Sequence, residues 1–148
     1  MKTFPKPPQR CFWPIGSIRG WIGPTGFSSK STPEEVLKDA DLSNKLVIVT
    51  GANSGIGKET AVAAFNHRAH VIFASRNVKE ASEITKELNR KLPKGSEPRA
   101  FAYKLDLSSL ESVFKFCLEV KKNFNRVNVL VNNAGIMGGD KFERTVDG

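Results

Sequence analysis

Leu46-Val47-Ile48-Val49-Thr50-Gly51-Ala52-Asn53-Ser54-Gly55-Ile56-Gly57 is the stretch that decides the fold. It opens as an apolar run of strand character and passes into three spaced glycines. It leads into Lys58-Glu59-Thr60-Ala61-Val62-Ala63-Ala64-Phe65, a helix-forming segment. Strand, glycine turn and helix in this order let the backbone turn sharply and approach an anion closely. The N–H groups of the helix start and the positive end of its dipole then face that anion. A glycine turn that binds nothing is the bland alternative. The spacing is Gly-x-x-x-Gly-x-Gly rather than Gly-x-Gly-x-x-Gly.

Downstream, strand-like and helix-like patterns alternate. The expected strands are 46–50, 70–75, 100–105 and 127–132, and the expected helices 56–67, 78–91 and 109–124. Ala81, Ile84, Leu88 and Leu92 share a face of the second helix, and Leu110, Val113, Phe114, Cys117 and Val120 a stripe of the third. Ser108-Ser109-Leu110-Glu111 reads as a capping box. Residues 127–132 form a near-continuous apolar run of the buried parallel type. Such βα units imply an α/β fold, a Rossmann-type doubly wound parallel sheet of order 3-2-1-4. Its switch point, between the first and fourth strands, lies beside the glycine turn, which places the ligand there.

Upstream, residues 1–30 are rich in Pro, Gly and Ser and read as an extended arm. Trp13, Trp21 and Phe27 could pin it to the domain surface or to a partner. Thr32-Pro33-Glu34-Glu35 starts a short helix, with Thr32 and Glu35 as a capping box. The chain is thus read as an arm, 1–30, and a nucleotide-binding unit, 31–148.

The net charge is +8 over 148 residues. The basic residues are scattered, without the aromatic interleaving of a single-strand reader, so no nucleic-acid partner is expected. Cys11 and Cys117 fit no metal spacing. Cys117 falls on an apolar helix position and reads as a buried thiol, in keeping with a reducing compartment such as the cytoplasm. No apolar run has the length of a transmembrane segment.

Arg76 follows the second strand, where an acid would hold the ribose hydroxyls of NAD. A guanidinium there suits a 2′-phosphate and points to NADP(H); a solvated surface arginine is the alternative. Asp106 closes the third strand, and Asn132-Asn133-Ala134-Gly135 closes the fourth.

The Thr-Gly-x-x-x-Gly-x-Gly turn and the Asn-Asn-Ala-Gly strand end together resemble the short-chain dehydrogenase/reductase family. Over about residues 26–148 the chain is most similar to the retinol-dehydrogenase-like and chloroplast-translocon-like branch. The resemblance implies a cofactor site made of Gly51, Ala52, Asn53, Ser54, Gly55, Ile56, Gly57, Arg76, Asp106, Leu107, Asn133, Ala134 and Gly135. In it Asp106 meets the adenine amino group, assisted by the next N–H; helix capping near Ser108 is its other reading. Asn133 stabilises the central sheet, and Ala134-Gly135 let the ribose and pyrophosphate lie close. Arg68 departs from the family, which has Gly after the first helix, so that helix end is expected to be remodelled or mildly strained.

The family's catalytic Asn, Ser and Tyr-x-x-x-Lys are not within these residues. Tyr103 is the only tyrosine and has no Lys four positions on. The resemblance therefore implies the N-terminal half of an NADP(H)-dependent alcohol/carbonyl oxidoreductase, without catalytic residues and inactive alone. Its small-molecule substrate would belong to the complete enzyme. The alternative is a non-catalytic nucleotide-binding or interaction module that pairs with a full-length homologue. In either case the fourth strand is expected to be an exposed edge that could mediate homo- or hetero-oligomerisation, and the unit to be only marginally stable.

Overall fold

The computed structural model describes residues 24–136 and 144–147. The expectations for Cys11, Trp13 and Trp21 lie outside the described residues. Two compact units divide the chain between Val36 and Leu37. In the first, Thr32 and Glu35 form the expected reciprocal cap: the Glu35 N–H donates to Thr32 Oγ1 at 3.2 Å, and the Thr32 N–H to Glu35 Oε2 at 3.1 Å. This opens α1, Pro33–Leu37.

The second unit is a parallel sheet flanked by helices. Its elements are β1 (Leu46–Thr50), α2 (Gly55–Asn66), β2 (His70–Ser75), α3 (Val78–Arg90), β3 (Ala100–Lys104), α4 (Leu110–Asn123) and β4 (Val129–Val131). The strand order is β3-β2-β1-β4, as the alternation predicts. Val47 pairs with Val71 and Val129, and Val49 with Phe73 and Val131.

Period-two alternation divides β1 and β2 between two cores. Val47, Val49, Val71 and Phe73 meet Ala61, Ala64 and Phe65 of α2 and Ala81 and Leu88 of α3. Leu46, Ile48, Ile72 and Ala74 meet Phe116 and Val120 of α4. Both strands are buried on both faces, which explains their unbroken apolar character.

The expected stripe of α4 is corrected. Phe116 and Val120 are buried and Val113 packs on them, whereas Leu110 and Phe114 are 70% and 65% exposed. Two apolar stripes lie side by side on this helix. The sheet selects the one whose rings fit: Phe116 packs edge-on to Tyr103 with centroids 6.1 Å apart, and Phe124 edge-on to Phe101 at 5.3 Å. Cys117 follows the other stripe and is exposed rather than buried. The expected Ser108/Glu111 box does not form either. Ser109 is the cap, accepting from the Ser112 N–H at 3.2 Å, and Glu111 pairs with Lys115.

β4 is shorter than the apolar run suggests and is not of the buried type. Among the described residues it pairs with β1 alone, and Leu130 is 56% exposed. This agrees with the expectation of an exposed edge.

At the C-terminal end of α2, Arg68 takes the left-handed conformation, φ +73°, that favours glycine. A side chain in this region costs about 1 kcal/mol. Arg99 compensates from β3's lead-in. Its guanidinium donates to the Phe65 carbonyl at 3.0 Å and the Ala69 carbonyl at 3.2 Å, and lies 4.5 Å from the Phe65 ring centroid. Burial lowers the Arg99 pKa, as does the neighbouring Arg68 charge.

Candidate cofactor site

The C-terminal ends of β1, β2, β3 and β4 open into a cleft of about 870 Å³. Every residue that the sequence nominates except Ala52 lines it, and Ala52 is fully buried beneath the turn. The cleft thus gathers loops that lie far apart along the chain.

Its floor is one hydrogen-bonded unit. The Asn133 side-chain amide donates to the Thr50 carbonyl at 2.9 Å. In return, Thr50 Oγ1 accepts from the N–H groups of Asn133 at 3.1 Å and Ala134 at 2.9 Å. Asn133 therefore joins β1 to the end of β4, and the two sequence motifs are halves of one structure.

The glycines have two distinct tasks. A Cβ on Gly57 would collide with the Asn133 amide nitrogen and the Gly51 carbonyl oxygen, so this glycine serves packing. A Cβ on Gly55 would meet nothing within 4 Å; this residue's φ of +54° is what requires glycine there. Gly55 and Gly135 both border the open cleft.

That start is uncapped. Ser54 makes no side-chain capping bond, and the first backbone bond is Lys58 N–H to the Ser54 carbonyl at 3.2 Å. The N–H groups of the first turn consequently have no protein partner among the described residues. The other two long helices differ: Asn77 caps α3 through the Glu80 N–H, and Ser109 caps α4. An uncapped helix start at an open cleft fits an anionic group such as a pyrophosphate.

On the β2 side Arg76 is exposed and forms no ion pair among the described residues. On the β3 side Asp106 is engaged locally. Its Oδ1 accepts from Ser108 Oγ at 2.7 Å and the Ser108 N–H at 3.0 Å. These bonds hold the carboxyl below the usual aspartate pKa, and the Arg76 charge adds to the effect against opposing desolvation. Asp106 thus closes a local turn with Ser108, whereas the cap of α4 is Ser109, so the helix capping expected as the alternative for Asp106 does not form. Leu107, 55% exposed, lies on the cleft wall.

Two features escape sequence reading. The Thr50 hydroxyl, part of the quoted motif, has a structural role that depends on a strand about 80 residues away. Asn53 Nδ2 donates to Glu80 Oε2 at 2.8 Å, across 27 residues, and no spacing rule signals that pair.

A family model described as short chain dehydrogenase matches residues 45–147. The chain belongs to the short-chain dehydrogenase family. A WW domain-containing oxidoreductase of Drosophila melanogaster is 39% identical over 122 residues, covering 82% of this chain and 29% of that protein. Retinol dehydrogenase 13 of Mus musculus is 41% identical over 98 residues, covering 66% of this chain and 28% of that protein. The chain thus spans less than a third of the length of either relative.

Among solved structures, a short chain dehydrogenase from Shigella flexneri 2a, complexed with NADP, is 29% identical with a TM-score of 0.57. The match covers 66% of this chain and 41% of that one. Membership in the short-chain dehydrogenase family agrees with the parallel sheet, its order and the position of the glycine turn. No helix among the described residues is long and apolar enough to cross a membrane.

Proposed function

We propose that this chain supplies the adenosine and pyrophosphate half of an NADP(H) site in an oxidoreductase acting on alcohols or carbonyls. The observation that carries the reading is the uncapped start of α2 opening onto a glycine-bordered cleft, with Arg76 on its rim. The N–H groups of Gly55, Ile56 and Gly57 would hold the pyrophosphate. Arg76 would pair with the 2′-phosphate, and an acid at that place would repel it. Asp106 and the Leu107 N–H would receive the adenine amino and ring groups. Asn133, through its bonds to Thr50, would keep Ala134 and Gly135 where a ribose can lie against them. When bound, the nicotinamide supplies hydride exchange with a carbinol or carbonyl carbon.

The residues present bind and orient; they do not supply the acid. Tyr103 lies in β3 with its hydroxyl accepting from Asn123 Nδ2 at 3.0 Å, away from the cleft lining. The chain by itself is therefore expected to bind nucleotide without transferring hydride.

Titration calorimetry with NADPH and NADH tests the reading. The 148-residue chain should prefer NADPH, and Arg76→Glu should reduce that preference by about tenfold or more. Equal affinity for the two nucleotides in the unaltered chain would overturn the 2′-phosphate assignment.

A second reading, an interaction module that pairs through β4 with a full-length homologue, draws on the exposed β4 edge, where Val129 and Leu130 lie open. Sedimentation of the chain mixed with such a homologue discriminates: a mixed species supports pairing, and independent sedimentation opposes it.

A further inference from the structure

Asn53 stands between two glycines with left-handed backbone, Gly51 at φ +66° and Gly55 at φ +54°. The turn it belongs to is anchored at its beginning, where the Gly51 N–H donates to the Ala74 carbonyl at 2.8 Å. Farther along, the tie is made by a side chain: Asn53 Nδ2 reaches Glu80 Oε2 at 2.8 Å. Glu80 is well placed to hold it. It lies in the first turn of α3, its own N–H donates to Asn77 Oδ1, and its neighbour Ala81 is fully buried in the core.

We propose that Glu80 is a positioning residue for the glycine turn: its carboxylate holds Asn53 and so fastens the loop between β1 and α2 to the start of α3. The consequence for nucleotide affinity rests on the cofactor reading above; the tie itself does not. An acid near an anion site carries a cost, because its charge opposes the phosphates. Arg76, four residues earlier and on the cleft rim, has the opposite charge. A surface glutamate without a positioning task would only weaken anion binding, and removing it would then strengthen binding. A tie predicts the opposite sign for a truncation that breaks the hydrogen bond, and a neutral or favourable effect for a substitution that keeps an acceptor.

The test uses the whole 148-residue chain with Glu80→Ala, Glu80→Gln, Asn53→Ala and the double variant carrying both alanines. The probes are 5′-ADP and 2′,5′-ADP, titrated calorimetrically. Glu80→Ala should weaken both by about threefold or more, as expected for loss of a charge-assisted hydrogen bond at a partly open site. Glu80→Gln should bind as tightly as the unaltered chain or more tightly. The double variant should bind no worse than Asn53→Ala alone. Tighter or unchanged binding by Glu80→Ala would overturn the proposal.

A second readout needs no ligand. Amide hydrogen exchange across residues 51–57 should quicken in Glu80→Ala and not in Glu80→Gln. Unchanged exchange in both would overturn the tie. If exchange follows the expected pattern while the unaltered chain binds neither nucleotide, the tie stands and the cofactor reading falls.

Discussion

The two faces of the sheet are built from the same strands and covered very differently. On one face α2 and α3 lie over Val47, Val49, Val71 and Phe73, and small residues such as Ala61, Ala64 and Ala81 allow close approach. On the other face α4 lies over Leu46, Ile48 and Ile72, and its second apolar stripe, Leu110, Phe114 and Leu118, is left in solvent. The difference teaches that burial of a strand does not require equal cover on both sides. Ile72 and Phe73 are both fully buried, yet the helices above them differ in number and in how much apolar surface they leave open.

The comparison is sharpened most by removing one ring from each face. Phe73→Ala should lower the unfolding free energy by about 3–5 kcal/mol, because the closed α2/α3 face cannot collapse onto the cavity. Phe116→Ala, under the open face, should cost about 1.5–3 kcal/mol, the transfer cost with little added for a cavity. Urea denaturation measures both, and equal losses would break the contrast.

Arg99→Ala comes next. It removes two carbonyl bonds and the contact with Phe65 at the end of α2, and should cost about 1–2 kcal/mol in the same assay. At the same helix end Arg68→Gly should instead stabilise, by up to about 1 kcal/mol, since it relieves a left-handed side chain and a neighbouring like charge. A loss of stability would show that the Arg68 side chain does more than occupy a glycine's place.

On the open face, Phe114→Lys should change stability by less than about 0.5 kcal/mol and raise solubility, as measured by denaturation and by light scattering. A large loss would mean that this stripe is covered in solution.

The smallest effect is in acid. The Asp106 carboxyl is held below its usual pKa, chiefly by Ser108, so its contribution is complete above the unfolded aspartate value. It is lost as pH falls through the lower folded value. Asp106→Asn should therefore flatten the stability profile slightly in that acidic window and leave its slope at neutral pH unchanged.

Much of this architecture is legible in the sequence. The glycine turn between a strand and a helix, the alternation after it, and the Asn-Asn-Ala-Gly strand end together predict the parallel order β3-β2-β1-β4. They also predict which loops meet. The reason is that backbone conformation and hydrophobic period are local properties: glycine at a left-handed position and apolar residues at fixed intervals act over a few residues.

What the chain alone did not decide was choice among equals and pairing at long range. Two apolar stripes on α4 are equivalent by period, and only the rings of Phe101 and Tyr103 on the neighbouring strand select between them. Cys117 was carried to the surface by that selection. The apolar run before Asn132 reads as an interior strand, but burial depends on neighbours, and among the described residues β4 has one. The Asn53–Glu80 bond and the Thr50 hydroxyl's two N–H partners join residues far apart in sequence, so no local pattern encodes them. The sequence by itself determined the elements, their order and the glycine cradle, because these follow from local sterics and periodicity. Tertiary structure alone decided which stripe of α4 is buried and which distant side chains bond to the glycine turn, because those depend on what folding brings into contact.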